Sequence, residues 1–257
     1  MTDSDEYLKK KRFFNQLLTI YGRKPVLEAL QEPSTQVHRL HLAESNKPGG
    51  IVSEIIALAE KKGAEVIYHD RQSLSRISRN SKQDQGVAVD LVCSGYQDFQ
   101  DFLDQNQHQD TEIIALDRIT NPQNLGMIIR SVCAGGATAL LLPEKGCAKL
   151  DALVIKASAG TLFRAPILRC KNLSKALEAF RDQGSEIYGL SSHAKNTLGN
   201  ISREGSKVFV MGNETEGVSK EVAAQCKQLI SIPMNNGVES LNVAVTASLL
   251  AFRHQLS

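Results

Sequence analysis

The sequence lacks the short motifs that identify many nucleotide-binding and hydrolytic enzymes. It has no GxGxxG after a strand-like run and no GxxxxGKS or GxxxxGKT, which argues against Rossmann dinucleotide-binding domains and P-loop NTPases. It also has no HExxH and no GxSxG, which argues against zinc proteases of that type and α/β-hydrolases. None of the six histidines pairs with another at metal-ligand spacing. We therefore expect no metal site, and chemistry that depends on Asn, Arg, Glu and Ser.

Cysteine usage and hydropathy narrow the class of protein further. The five cysteines form no CxxC pair and are odd in number, which favours reduced, mostly buried thiols over a disulfide framework. No apolar run reaches the roughly 18 residues that span a bilayer. The N-terminus lacks the apolar stretch of a secretory signal. We therefore expect a cytoplasmic protein that makes no membrane contact.

The excess of basic residues is concentrated in the last part of the chain. The net charge is +2, and residues 1–90 also carry +2, whereas residues 91–112 carry −5. Residues 113–257 hold 16 Lys and Arg against 11 Asp and Glu, a net charge of +5. A basic half favours a polyanionic substrate such as RNA, but the excess does not by itself identify one.

The pattern of apolar runs predicts four segments along the chain. Residues 1–20 are an extension that contains a charged arm at 9–12, which is either a solvated tail or an RNA contact. Residues 21–95 alternate between helix-like and strand-like runs and predict a small α/β domain. Residues 96–111 are rich in Gln and Asp and predict a linker, with one helical turn around Phe99, Phe102 and Leu103.

Residues 112–257 predict a larger α/β domain. Six short, continuously apolar runs lie at 113–116, 139–142, 166–168, 187–190, 208–211 and 229–232. Such runs are typical of strands that are covered on both faces, which indicates a mostly parallel sheet with helices between the strands.

Three polar, glycine-bearing segments follow strand-like runs in this half. They lie at 121–130, 211–217 and 230–242. Because the loops at the ends of parallel strands expose polar groups beside a rigid scaffold, three such segments together predict a ligand site.

Helix capping explains many of their polar residues when each is taken alone. Asn121 suits an N-cap and Ser240 suits another, while Glu214 suits the first turn of a helix. Arg130 is consistent with an ion pair on a helix surface. Asn124 and Arg130 are six residues apart, about 240° around an ideal helix, so they do not share a face.

Read in order, the segments resemble a known family. Asn124-x-Gly126-x-x-x-Arg130, then Gly212-Asn-Glu214, then Ser240-Leu-Asn242 is similar to the three motifs of the SpoU (TrmH-like) RNA 2′-O-ribose methyltransferases. The residues at 21–30 and 84–88 resemble the family's N-terminal substrate-binding domain, which is similar to a ribosomal-protein fold. Together they are most similar to the bacterial 23S rRNA guanosine 2′-O-methyltransferases. Residues 146–149 match no family motif.

The resemblance implies a fold, a cofactor and roles for particular residues. The domain at 112–257 would contain a deep trefoil knot that binds S-adenosylmethionine (AdoMet), and the protein would be a homodimer whose active site draws on both subunits. The implied cofactor-binding residues are Gly189, Leu190, Gly212, Ile232 and Leu241. The implied catalytic residues are Arg130, which acts on the ribose 2′-hydroxyl, and four that position it or the nucleotide, namely Asn124, Glu214, Ser240 and Asn242.

Two other functions remain open on the sequence alone. The same chemistry could act on tRNA, although the domain at 21–95 favours ribosomal RNA. The chain could also be an RNA-binding ribosome-assembly factor without catalytic activity, although the retained Asn124, Arg130, Glu214 and Asn242 argue against it. A Rossmann-type 2′-O-methyltransferase would need a glycine-rich loop and a Lys-Asp-Lys-Glu set, which are not found.

Overall fold

A computed structural model describes residues 7, 10, 13–47, 49–107 and 109–255 of the chain. It forms two compact units, the first made of Met1–Tyr96 with Leu150–Arg164 and the second of Gln97–Lys149 with Ala165–Ser257. Apart from residue 10, the charged arm at 9–12 lies outside the described residues.

Twelve strands and nine α-helices make up these units in the described part of the chain. In chain order they are β1 (Leu17–Tyr21), α1 (Arg23–Gln31), β2 (Val37–Ala43), α2 (Gly50–Lys61), β3 (Glu65–His69), α3 (Arg71–Ser78), β4 (Val87–Val92), β5 (Tyr96–Asp98), α4 (Phe99–Gln105), β6 (Glu112–Leu116), α5 (Pro122–Ala134), β7 (Ala139–Pro143), α6 (Ala152–Ala157), β8 (Ile167–Cys170), α7 (Leu173–Asp182), β9 (Glu186–Leu190), β10 (Asn196–Thr197), β11 (Lys207–Met211), α8 (Lys220–Ala223), β12 (Gln228–Ser231) and α9 (Val243–Ala251). Short 3-10 helices lie at Thr161–Phe163 and Leu198–Asn200.

The first unit is built on a four-stranded sheet in the order β1-β4-β2-β3. β4 pairs antiparallel with β1 and β2, and β2 pairs parallel with β3. Leu40 and Leu42 of β2 are fully buried, as is Val26 of α1. Asp70 begins α3 by accepting a hydrogen bond from the Ser73 N–H, a standard N-cap.

The second unit contains an eight-stranded sheet in the order β10-β12-β9-β11-β6-β7-β8-β5. The six pairs from β10 to β8 are parallel, which confirms the prediction of an α/β fold with a mostly parallel sheet. Every residue of β6, β7 and β11 is buried, which explains their continuous apolar runs. Because these strands are parallel, the loops after β6, β9, β11 and β12 emerge at the same edge.

The compact units and elements of the structure differ from the predicted segments at three places. Residues 96–111, predicted to be a linker with one helical turn around Phe99, Phe102 and Leu103, contain β5 and the longer helix α4, and Phe102 and Leu103 are buried in the core of the second unit. Gln100, Asp104 and Gln105 form the exposed face of this helix. Residues 150–164, placed in the larger domain by the sequence, belong to the first unit, and β1 begins at Leu17, inside the predicted extension.

A chain of polar side chains crosses the sheet of the first unit. The Thr19 hydroxyl donates to Asp90 Oδ1 at 2.6 Å, and His41 bridges Asp90 Oδ2 and His69 Nε2 at 3.0 Å each. Burial alone would raise the pKa of Asp90, but the hydrogen bonds from His41 and Thr19 lower it. Burial, and then the neighbouring His41, lower the pKa of His69 below its usual 6.5.

Acid is expected to destabilise this unit in two steps. A histidine whose pKa is lowered on folding stabilises the fold above its unfolded pKa, so the contribution of His69 falls as the pH drops below 6.5. Asp90 adds a second loss only as the pH falls through its lowered folded pKa, below 3.8. Denaturant unfolding across this pH range would measure both. His69→Gln should remove the first loss of stability and leave the second. If the first loss is unchanged in that variant, a group other than His69 causes it.

Candidate active site

A cavity of about 280 Å³ opens where the loops after β9, β11 and β12 meet the start of α9. Six of the ten predicted site residues line it, namely Leu190, Gly212, Glu214, Ile232, Ser240 and Leu241. The topology explains why they meet, because β9, β11 and β12 are parallel and end at one edge of the sheet.

Asn124 joins the first segment to the other two. Its Nδ2 donates a short hydrogen bond to Glu214 Oε1, and its Oδ1 accepts one from Asn242 Nδ2 at 3.2 Å. Asn124 is only 7% exposed, so both ends of its amide are used inside the protein. Asn124 and Asn242 therefore fix the walls of the cavity and do not line it.

At the third segment, the N-cap residue of the helix differs from the one that the sequence predicts. Asn121 caps α5, as predicted, by accepting from the Gln123 N–H at 2.8 Å. The N-cap of α9 is Asn242, whose Oδ1 accepts from the Ala244 N–H at 2.8 Å, so the prediction of Ser240 as this cap is wrong. The helix begins two residues later than the sequence suggested, which leaves Ser240 exposed at the cavity.

Arg130 lies apart from the cavity lining. It is exposed on α5, whereas Asn124 on the same helix is buried, which agrees with their predicted separation around the helix. Within the described part of the chain, Arg130 forms no hydrogen bond or ion pair, so the alternative of a helix-surface ion pair finds no partner there. Its guanidinium is therefore available to a ligand.

Two predicted glycines have structural reasons for being glycine. A Cβ on Gly212 would lie 2.1 Å from the carbonyl carbon of Gly217 and 2.2 Å from the Val218 nitrogen, so the loop after β11 closes on itself there. A Cβ on Gly189 would lie 2.7 Å from Leu229 Cδ2, which shows that Gly189 packs against β12 and does not line the cavity.

The sequence analysis did not predict the hydrogen bonds that hold the loop after β11. Asn213 Oδ1 accepts from the Thr215 N–H at 2.9 Å, and Asn213 Nδ2 donates to the Arg118 carbonyl at 3.2 Å. Arg118 donates from Nη1 to Glu216 and from Nη2 to the Gly217 carbonyl at 3.2 Å. The Asp117 carboxylate accepts from the Ser219 N–H at 2.6 Å. The end of β6 thus anchors both ends of the loop.

Removing the Arg118 side chain is expected to weaken ligand binding in the cavity without abolishing it. Asn is the suitable replacement because Arg118 has a φ of 59°, which Asn tolerates. Since Glu216 is largely exposed, the pair contributes little, and we expect about a three- to tenfold loss of cofactor affinity in Arg118→Asn. Calorimetry would measure it, with Arg181→Ala, an exposed ion-paired arginine elsewhere in the unit, as control. Equal affinities in the two variants would contradict an anchoring role.

One thiol close to this region is unreactive. Burial raises the pKa of Cys226, next to Gly189, to about 11, so it stays protonated near neutral pH. Cys93 and Cys170 are buried, with pKa values raised to about 12 by burial, as first expected for small core residues.

No described group of three or more His, Cys, Asp or Glu side chains could hold a metal ion. No helix in the described ranges is long and apolar enough to cross a membrane.

Comparison with known sequences identifies the family. The profile of the SpoU rRNA methylase family matches residues 111–252, which include the cavity and all three motif segments. The profile described as RNA 2′-O ribose methyltransferase substrate binding matches residues 19–97. The two matches together define an RNA methyltransferase. The chain belongs to the SpoU rRNA methylase family, which confirms the resemblance.

Individual relatives agree with this assignment. An uncharacterized tRNA/rRNA methyltransferase of Mycolicibacterium vanbaalenii is 34% identical over 235 residues, 90% of this chain and 74% of the relative. The AdoMet-bound rRNA methyltransferase from Sinorhizobium meliloti has 26% identity and a TM-score of 0.61 over 97% of this chain and 92% of that chain. The SpoU methyltransferase AviRb from Streptomyces viridochromogenes, also solved with AdoMet, has 23% identity and a TM-score of 0.59 over 99% and 95%, and shows the fold alone.

Proposed function

We propose that the protein transfers a methyl group from AdoMet to the ribose 2′-hydroxyl of a guanosine in 23S ribosomal RNA. The observation that carries this proposal is the meeting of the three motif segments through Asn124. Its hydrogen bonds to Glu214 and Asn242 hold two cavity-lining segments in place. A site built by side chains that are themselves bonded can position a hydroxyl against a methyl group, which is the larger part of catalysis in such a transfer.

The cavity suits AdoMet in its shape and its charge. Leu190, Ile232 and Leu241 offer apolar contact for an adenosine, and Gly212 leaves backbone accessible at the wall. Glu239 lines the cavity, is exposed and has no side-chain bond within the described residues, so its carboxylate can face a cationic ligand. AdoMet, when bound, supplies an electrophilic methyl group on a positively charged sulfur. In this proposal Gly189 supports the pocket by packing beneath it.

Arg130 is the residue that acts on the ribose in this proposal. The 2′-hydroxyl is weakly acidic and has to lose its proton as it attacks. An arginine with a pKa above about 12 is a poor base, so the role that fits its chemistry best is to stabilise the developing negative charge on the oxygen. Ser240, exposed at the cavity, is placed to bind the nucleotide.

We infer that the active enzyme is a homodimer in which Arg130 serves the cavity of the partner. Arg130 is absent from the lining of its own cavity, and exposed apolar side chains lie on its helix and on the helix that packs against it. Met127 on α5 and Val245 and Leu249 on α9 are 42%, 48% and 39% exposed, although the two helices pack together through Ser131 and Ser248. Such a patch favours association with a second copy.

Mixing two inactive variants tests this arrangement. Arg130→Ala removes the acting side chain and Gly212→Val distorts the cavity, so each homodimer should be inactive. A mixed dimer keeps one site with both parts intact if Arg130 acts on the partner's cavity, and activity should return to a fraction of wild type on mixing and subunit exchange. Continued inactivity in dimers shown to have exchanged would place Arg130 in its own subunit's site.

We also propose a deep trefoil knot, a role for each of the two domains and a cytoplasmic location. The order β9-β11-β6 places a late strand between two earlier ones, as threading of the chain would require, which supports a deep trefoil knot around the cavity. The domain at 21–95 would bind RNA in the manner of a ribosomal protein, and the domain at 112–257 would carry out the transfer. A cytoplasmic location is expected of an enzyme that modifies ribosomal RNA.

The second candidate substrate is tRNA, because the Mycolicibacterium relative is named a tRNA/rRNA methyltransferase. Transfer of labelled methyl from AdoMet to purified 23S rRNA, 16S rRNA and total tRNA distinguishes the substrates, and nuclease digestion with mass spectrometry locates the methyl on the base or ribose. We expect label in 23S rRNA on ribose. Label in tRNA alone would move the substrate, and RNA binding with no transfer to any RNA would favour an assembly factor.

A further inference from the structure

The first unit carries a line of exposed cations between α3 and β4. Residues 71–83 contain Arg71, Arg76, Arg79 and Lys82 and no acidic residue. All four cations are exposed, and neither Arg79 nor Lys82 forms a side-chain hydrogen bond or ion pair with any residue of the described ranges. Asp70, at the start of α3, offsets part of the charge of Arg76, and the remaining cations create a local positive potential that attracts polyanions.

The start of α1 extends this line into a surface. The Arg23 N–H donates to Gln85 Oε1 at 3.1 Å and Arg23 Nε donates to the Gln85 carbonyl at 3.3 Å. A Cβ on Gly22 would lie 3.3 Å from the Gln83 carbonyl. Exposed Lys24 therefore stands next to the loop at 79–86, and we call Lys24, Arg76, Arg79 and Lys82 the basic surface.

This loop is held in an unusual backbone conformation. Arg79 and Gln85 are two of the few described residues other than glycine with positive φ, at 53° and 51°. Such conformations cost about 1 kcal/mol or more and persist where the surroundings fix them, often at binding sites. Asp84 fixes the loop, since its buried carboxylate accepts from the Ser78 hydroxyl at 2.8 Å and from the Gly86 N–H at 3.0 Å. Its charge faces inward and leaves the cations exposed.

The chemistry of the surface selects among forms of RNA. Its cations and the exposed amides of Gln83 and Gln85 suit phosphate and ribose oxygens. Tyr21, the aromatic residue that is hydrogen-bonded to this loop, packs against a core cluster and its hydroxyl accepts from Asn80 Nδ2 at 3.1 Å, so it offers no free face for a base. Recognition of single-stranded RNA depends on such stacking faces, whereas helical RNA is bound through its backbone and shape.

We propose that the basic surface binds the backbone of a double-helical RNA element and holds the substrate to the enzyme. This proposal rests on the proposed function, because it assumes that the methyl acceptor is a folded RNA. It assigns the RNA contact to Lys24, Arg76, Arg79 and Lys82, and it states which form of RNA they bind.

Binding measurements in a salt series test the proposal with the full-length protein. The test variant is Arg79→Asn with Lys82→Gln, where Asn preserves the positive φ at residue 79. The control is Lys61→Gln with Lys175→Gln, which removes the same charge from exposed lysines off the surface. The probes are a short, fully paired RNA duplex, a single strand of the same length, and 23S rRNA. Thermal unfolding, measured in parallel, reports whether each variant remains folded, and AdoMet affinity reports whether the cavity is intact.

We expect the test variant to bind the duplex about tenfold more weakly than the control and to lower the slope of log affinity against log salt by about 1 for each lost phosphate contact. Affinity and slope equal to those of the control would overturn the proposal, and so would a loss confined to the single strand. The outcome is separable from the proposed function. If the test variant loses duplex binding but the wild-type protein methylates no RNA, this proposal stands and the proposed function fails. If methyl transfer is normal and the test variant binds the duplex as the control does, only this proposal fails.

Discussion

Replacing Arg130 with alanine is expected to abolish methyl transfer while AdoMet binding stays unchanged. Loss of a single group that stabilises a developing oxyanion costs about 10²- to 10³-fold in rate. Arg130 lies outside the lining of its own cavity, and in the proposed dimer it acts on the ribose and not on the cofactor, so AdoMet should lose no contact when the side chain is removed. The residue is also exposed and forms no bond within the described ranges, so we expect a change in stability of no more than about 0.5 kcal/mol.

Three measurements on the Arg130 variants separate chemistry from folding. Single-turnover methyl transfer at saturating RNA gives the rate, calorimetry gives the AdoMet affinity, and thermal unfolding reports stability. Arg130→Lys should retain part of the rate because it keeps the positive charge but loses the planar fork of donors. Lys175→Ala, which removes an exposed cation from α7, serves as the control. A near-normal rate in Arg130→Ala would exclude this residue from the mechanism.

Gly212→Val is expected to eliminate AdoMet binding. Any side chain at this position meets the backbone of Gly217 and Val218 at 2.1–2.3 Å, and backbone cannot move aside as a flexible side chain can. The loop from β11 must therefore open, and it carries the cavity-lining residues 212–217. We expect at least a hundredfold loss of affinity by calorimetry, of the order of the 1–3 kcal/mol or more that backbone strain costs.

Gly199→Val is the matched control for this substitution. Gly199 lies in the 3-10 helix Leu198–Asn200, and the nearest atom to a Cβ there is Thr197 Oγ1 at 3.9 Å, an ordinary contact. This variant should bind AdoMet like the wild type. Unchanged affinity in Gly212→Val would mean that the cofactor binds elsewhere.

The sequence predicted the second unit well because its signals are local. Buried parallel strands are apolar at every position, and β6, β7 and β11 could be recognised from short runs alone. The three motif segments were found for a related reason, since each follows one of these strands directly. By contrast, β5 and β1 were missed because three and five residues of mixed character carry little periodic signal.

What the sequence could not predict depends on contacts between distant residues. Arg118 and Glu216 are 98 positions apart, and neither stands in a local pattern that indicates the other. Ser240 and Asn242 are both good N-cap residues, so only the structure decides between them. Gly212 lines the cavity, but the contact that requires glycine there, with the backbone of Gly217 and Val218, has no local signal in the sequence. Asn124 was predicted to position Arg130 and the nucleotide, but the bonds of its buried amide to Glu214 and Asn242, 90 and 118 positions away, have no local signal in the sequence.

The most direct test of the central claim is to map ribose methylation across the ribosomal RNA of cells that lack this protein. Mass spectrometry of nuclease fragments should show the loss of one 2′-O-methyl group from a guanosine of 23S rRNA. Wild-type protein should restore it, and Arg130→Ala expressed at the same level should not. A complete set of ribose methyl groups in the rRNA of the deletion strain, or restoration by Arg130→Ala, would contradict the account.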